Sequence, residues 1–181
     1  EEGADVRSPA VLVGAGGIEE TLRRMLALAG DPVRLRPHSK THKLPQLVAR
    51  QVALGMLKCK CATIAEAEMA AGAGAVDVFL AAQPTGPNVG RLIALIRAFP
   101  QTRFCTMTDD PGAVRALNAA ALEAGVVLEV LVELDVGQPR TGVHPGVAAG
   151  ALCRRIGHSP GLPPGRLRSY RWPLHRGDPG G

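Results

Sequence analysis

Aromatic side chains are nearly missing from this chain: its 181 residues hold Phe 3, Tyr 1 and Trp 1. An all-β sandwich fills its core with aromatic and β-branched side chains, so that class is disfavoured. The same lack argues against a nucleic-acid-binding protein, because few rings are present to stack on bases, even though the formal charge is +5. Cysteine is scarce as well, at Cys 4. Cys59 and Cys61 stand as C-x-C, not as the C-x-x-C of a zinc knuckle or a redox pair. Alternate residues of a strand share a face, so these two are expected on one side of a buried strand, and nothing demands an oxidising compartment. No apolar run is long enough to span a bilayer, and the acidic start EEGAD is unlike a signal peptide. A cytoplasmic protein without membrane or nucleic-acid partners is expected. No GxGxxG follows a strand and no Walker loop is present; the GAGG of 14–17 lacks the third spaced glycine and reads as a turn.

What is abundant is Ala, Gly, Val and Leu, within a hydrophobic fraction of 46%. That suits an α/β protein whose helices pack through small residues. Apolar spacing predicts helices over 17–29, 44–54, 88–99, 109–124 and 145–156, and another that starts at Thr63 with Glu66 completing a capping box. Strands are expected over 33–40, 57–61, 76–82, 102–107, 126–136 and 166–170. Strand and helix alternate with short connections in units of about 25–30 residues, which points to a parallel sheet and leans toward a (β/α) barrel. A complete barrel takes eight units in about 250 residues. The expectation is therefore either an open sheet or a partial (β/α)8 barrel of the TIM type, ending after about five or six units.

The stretch LRPHSKTHKLP, at 35–45, gathers Arg36, His38, Lys40, His42 and Lys43 at the end of the first expected strand. Alternation would place Val33, Leu35 and Pro37 on one face and Arg34, Arg36, His38 and Lys40 on the other. Three readings compete: a nucleic-acid patch, a solvated loop, or a lysine held in place for chemistry. Catalytic groups gather at the C-terminal ends of parallel strands, and Lys40 sits at such an end. Neighbouring cations and burial would both disfavour its ammonium form, and a neutral amine is what imine chemistry needs.

The run R-P-H-S-K-T-H-K resembles the R-P-H-x-K-x-H-K signature of the D-threonine aldolase and D-serine dehydratase family, fold-type III pyridoxal-phosphate enzymes with an alanine-racemase-like barrel. Downstream, VELDVGQPRTGV at 132–143 is similar to that family's V-E-x-D-V-G-x-x-R-x-G-V. The similarity covers most of 8–160. It implies Lys40 as the Schiff-base lysine and Arg140 as the cation that reaches the cofactor's phenolic oxygen. It places His38 beside the cofactor or packed behind it, and Tyr170 against the pyridine ring. Asp135 would order the strand end, and Lys43 would be solvated. A D-3-hydroxy amino acid would be the small-molecule substrate, cleaved by an aldolase or dehydrated by an ammonia-lyase. A divalent metal belongs to the family, but its ligands fall in a C-terminal region with no counterpart here. His144, His158 and His175 do not form a spaced ligand set, so no metal residue is assigned. The full-length protein would be a homodimer. An alanine-racemase-like enzyme, or a non-catalytic pyridoxal-phosphate-binding protein, are the alternatives.

The organisation expected is the N-terminal part of a cofactor-binding barrel over 1–160, then a Gly/Pro/Arg-rich tail over 161–181. The tail loses all periodicity. Removing one base from the Arg171 codon lets Tyr170 to Leu174 be read as Tyr-Asp-Gly-His, which resembles the family's continuation. The hypothesis is a one-base insertion near codon 171, which would leave this chain truncated and its activity in doubt. Resequencing that finds the frame intact would sink it.

Overall fold

The computed structural model describes residues 13–137 and 140–163, and the backbone of 167–169. Helix α1 (Ala15–Ala29) leads into a 3-10 turn at Pro32–Arg34 and a second at Ser39–Thr41. Helix α2 (Pro45–Ala53) follows, and then strand and helix alternate: β1 (Lys58–Cys61), α3 (Ile64–Gly72), β2 (Asp77–Leu80), α4 (Pro87–Ala98), β3 (Arg103–Thr108), α5 (Pro111–Ala124), β4 (Glu129–Leu134), α6 (Val147–Gly157) and β5 (Leu167–Ser169). The strands form one sheet in the order β1-β2-β3-β4-β5, every pair parallel. A doubly wound sheet reverses its order at a switch point, whereas a barrel adds each strand beside the last. The sequential order therefore makes this a partial (β/α) barrel.

The expected strand over 33–40 is corrected by the structure. Asp31 accepts a hydrogen bond from the Val33 N–H at 2.8 Å and starts the 3-10 turn at Pro32 instead. Pro37 has no N–H to give a ladder. What survives is a single parallel bridge between His38 and Lys60, with the Lys60 N–H donating to the Pro37 carbonyl at 2.8 Å. Segment 35–38 still lies beside β1 where a preceding barrel strand would lie. The GAGG stretch is also corrected: Gly14 caps α1 and Ala15 to Gly17 form its first turn. Strand β4 is shorter than the 126–136 expected, because the Val126 N–H bonds back to Ala121 and the Leu128 N–H to Gly161. Residues 164–166 and 170–181 of the tail lie outside the described residues.

The capping signal at Thr63 works as read. Thr63 Oγ1 accepts from the Glu66 N–H at 3.2 Å, while Glu66 Oε2 accepts from the Ala62 N–H at 2.8 Å, one residue before the cap. Asp110 Oδ1 accepts from the Ala113 N–H at 2.8 Å with Pro111 next to it, and Gly125 ends α5 in the left-handed region at φ 64°.

Two layers separate by strand parity. The outer face of the sheet carries Cys59, Cys61, Val78 and Phe104 beneath Ala67, Ala70 and Ala71 of α3. Alanine there lets the helix approach the strands closely, which accounts for the small-residue composition. Farther along, Leu80, Val130 and Val132 pack under Leu92, Leu117, Leu152 and Ile156. Each such leucine or isoleucine contributes about 1.5–3 kcal/mol by burial. The opposite face, toward the barrel interior, holds Phe79, Cys105 and Leu131. The C-x-C pair therefore lies as expected, buried on one side of β1 with its sulfurs 3.8 Å apart.

Candidate active site

The cation-rich stretch divides between the two ends of the sheet. Arg36 turns toward the strand beginnings. Its guanidinium donates to both Asp77 carboxylate oxygens, at 2.8 and 2.7 Å, and points at the Asp77 and Cys59 carbonyls. Arg103 Nη1 reaches the same carboxylate at 2.7 Å, and its other nitrogen pairs with Glu129. Burial alone would push the Asp77 carboxyl up, but hydrogen bonds and charge from Arg36 and Arg103 outweigh it and hold it below the ordinary range. This chain of charges lies at the N-terminal ends of β2, β3 and β4, where barrel residues serve stability. Arg34 is exposed and donates to the Ala29 carbonyl at 3.0 Å, so the expected row Arg34, Arg36, His38 and Lys40 is not one catalytic face.

Lys40 lies at the other end, beyond the bridge between His38 and Lys60 and so past the C-terminal side of segment 35–38. It is exposed and makes no ion pair with a described residue. The burial expected around it is thus not found. Its turn is held from several sides. The Lys40 N–H donates to His38 Nδ1 at 3.2 Å, and the Leu44 N–H donates to His42 Nδ1 at 3.0 Å. Ser39, fully buried, donates from Oγ to the Lys60 carbonyl at 3.3 Å. Lys43 stands at φ 50°, the one non-glycine in the left-handed region among the described residues. Its ammonium lies 3.9 Å from Glu66, whose side chain is only 5% exposed, so Lys43 is tethered as well as solvated.

Both imidazoles are held below the usual histidine value. For His38 the main cause is burial, followed by the charges of Lys60 and Lys40; Glu66 and the Lys60 backbone act the other way. For His42 the cause is burial, opposed by Glu66. With Nδ1 of His42 accepting, its hydrogen sits on Nε2, which is buried and has no partner among the described residues. Such an unpaired donor costs about 1–3 kcal/mol.

The second motif also follows the C-terminal end of a strand. Leaving β4, the Asp135 N–H donates to the Val143 carbonyl at 2.9 Å, and the Val143 N–H returns to the Glu133 carbonyl at 3.0 Å. Asp135 Oδ1 accepts from the Gly137 N–H at 3.0 Å, which orders the strand exit as expected. Asp109, at the end of β3, holds the Gly142 N–H at 2.9 Å. Arg140 sits exposed in this return. Tyr170, like Gln138, Pro139 and His175, lies outside the described residues. His144 and His158 are exposed, and among the described residues no three His, Cys, Asp or Glu side chains gather.

His42 was noted in the cluster without a role, and three contributors escaped the sequence reading, namely Glu66 as a tether, Asp109 and the Asp77–Arg103 pair. The signal for the last was present, as isolated charges at the starts of 76–82 and 102–107 with an arginine in the preceding segment to meet them.

A parallel sheet in sequential order, with Lys40 beyond its leading edge and a glycine-bounded arginine loop beyond β4, defines a partial (β/α) barrel, a fold that generally carries its chemistry at the C-terminal strand ends. Residues 15–170 match the family model for the alanine racemase N-terminal domain, and the chain belongs to that family. It is 32% identical over 168 residues to a D-threonine aldolase of Arthrobacter sp, covering 92% of this chain and 44% of that protein. With the D-threo-3-hydroxyaspartate dehydratase of Delftia sp. (strain HT23) it shares 30% identity over 140 residues, 75% of this chain and 36% of that one. The crystal structure of D-threonine aldolase from Filomicrobium marinum superposes with a TM-score of 0.79 at 33% identity, covering 91% of this chain and 43% of its own. The chain thus spans less than half the length of the relatives it matches. No helix among the described residues is long and apolar enough to cross a membrane.

Proposed function

We propose that this chain is the lysine-bearing part of a pyridoxal-phosphate-dependent lyase acting on D-3-hydroxy amino acids, by aldol cleavage or by dehydration. The observation that carries the reading is Lys40: an exposed amine with no ion pair among the described residues, on a turn anchored at both ends, beyond the C-terminal side of the sheet. These residues fit the cofactor. An exposed amine can take its aldehyde, and Arg140 offers a second cation on the same side of the fold. Lys40 would hold the cofactor covalently through Nζ, Arg140 would neutralise its phenolic oxygen, and His38 would line the site or back the turn. Tyr170 would lie against the ring. Pyridoxal phosphate supplies an electron sink that makes a bond at Cα breakable. Lys40 would be the group placed to hold or move a proton at that carbon. The described residues do not supply a ligand set for the family's divalent ion, so no step is assigned to one. The 32% identity to a D-threonine aldolase and the 30% identity to a D-threo-3-hydroxyaspartate dehydratase support the substrate class and leave both reaction outcomes within it.

The test is borohydride trapping. The chain is incubated with pyridoxal phosphate, reduced and digested, and the modified lysine is located by mass spectrometry. Label concentrated on Lys40, and lost in Lys40→Arg, is the expected result. Label scattered over surface lysines in a folded chain would refute the reading.

A further inference from the structure

We infer that His38 and His42 are positioning residues for Lys40, each fixing one end of the lysine's turn by accepting a backbone N–H at Nδ1, and each able to do so only while neutral. The functional consequence rests on the reading of Lys40 given above; the positional claim does not. The geometry repeats itself on either side of the lysine. His38 Nδ1 accepts the N–H two residues on, from Lys40 at 3.2 Å, and His42 Nδ1 accepts the N–H two residues on, from Leu44 at 3.0 Å. Between these clamps the backbone has only local bonds, from the His42 and Lys43 N–H groups to the Ser39 carbonyl at 3.2 and 2.8 Å. No strand ladder continues past the bridge at His38. The left-handed Lys43 then turns the chain into α2. Losing either clamp frees a backbone N–H next to a turn already held in a disfavoured conformation.

An imidazole that accepts at Nδ1 carries its hydrogen on Nε2. Protonation places a hydrogen on Nδ1 and abolishes the bond. The surroundings favour the neutral ring. His38 faces Lys60 of β1 and Lys40 of its own turn, with Glu66 of α3 in opposition. His42 is half-buried, with its Nε2 shielded from water, and faces Glu66, whose charge is shared with Lys43. Acid is thus expected to unlock the turn at a pH below the ordinary histidine value.

Two measurements test this. Long-range proton–nitrogen NMR of the wild-type chain, labelled with nitrogen-15 in its histidines, reports which ring nitrogen is protonated. Both rings are expected to show a bare Nδ1 and a protonated Nε2 at neutral pH, and to titrate below about 6.5. A hydrogen on Nδ1 at neutral pH would overturn the inference without any variant having to fold. The second measurement compares asparagine with glutamine. Asparagine places its side-chain oxygen where Nδ1 stands; glutamine reaches toward Nε2. Borohydride labelling of Lys40 in H42N is expected to stay near the wild-type level, while H42Q loses about five- to tenfold, the effect of one hydrogen bond, and H38Q is expected to label less than H38N. Equal labelling of the asparagine and glutamine variants would refute positioning through Nδ1. Absence of Lys40 label in the wild type would instead strike the cofactor reading and leave the NMR result to judge the clamps.

Discussion

Replacing Gly142 with alanine separates two costs that the R-T-G-V motif combines. Gly142 stands at φ +104°, a conformation L-residues rarely adopt, and so does Gly137 at φ +114°. The difference lies in the surroundings. A Cβ on Gly137 would meet nothing within 4 Å, whereas one on Gly142 would lie 2.7 Å from the Asp135 nitrogen and 2.8 Å from the Leu134 carbonyl carbon. Those are backbone atoms of the β4 exit and cannot swing aside as a side chain would. Both variants carry the conformational cost of about 1–3 kcal/mol. Gly142→Ala must also part the two chains that meet there, losing the Asp135–Val143 and Val143–Glu133 hydrogen bonds. At about 0.5–1.5 kcal/mol each, that adds roughly 1–3 kcal/mol. Urea unfolding followed by circular dichroism gives both values in one experiment. Gly142→Ala should be the less stable by that margin, and, on the function proposed above, Arg140 on the same return should then hold the cofactor less well. Equal stabilities for the two variants would show that the close approach of residues 134, 135 and 142 is not what makes this glycine necessary.

Asp77→Asn should cost about 3–5 kcal/mol, because it strands the Arg36 guanidinium, whose side chain is 14% exposed, without its charge partner. The same carboxyl makes stability depend on acid. Its value lies below the ordinary 3.8 in the folded chain, so its contribution is present above that pH and is lost as pH falls through the folded value. Wild type should weaken on acidification below about pH 4, and Asp77→Asn should show a flatter curve; parallel curves would contradict the assignment. Thiol labelling of the native chain near neutral pH should find Cys153 reactive first, since Cys59, Cys61 and Cys105 are buried. Burial pushes Cys105 up to about 11, and the Cys59 hydrogen bond and burial keep the proton on Cys61. Fast reaction of Cys105 would contradict its place in the barrel interior.

Much of the fold was legible because its signals are local. The Thr63 cap and the alternation of strand with helix each follow from a few neighbouring residues, and each agrees with the structure. Choosing a barrel over an open sheet needed the order in which strands pair, which is a long-range property. The first expected strand failed for an equally physical reason. Its alternation was real, but Asp31 and the two prolines commit the backbone to a turn before pairing can begin, and only one bridge with β1 remains.

The site was half legible for a related cause. Strand parity predicts which face a side chain shares, but not which end of the sheet it serves. Arg36 and Lys40 share a parity and are four residues apart, yet one closes a charge network at the strand beginnings and the other stands beyond the strand ends. What separates them is the turn that replaces the strand after His38: the chain leaves the sheet there, and Lys40 rides on the departing backbone. A lysine kept in a regular strand would have its amide spent on the ladder and its side chain directed by the pleat. Lys40 instead depends on whatever anchors its turn, and among the atoms that do so are the buried Ser39 hydroxyl and the Nδ1 atoms of the histidines flanking it. The pattern H-x-K-x-H thus reads as one mechanical unit, in which the first histidine ends the strand segment, the lysine presents its amine, and the second holds Leu44, the residue that caps the next helix.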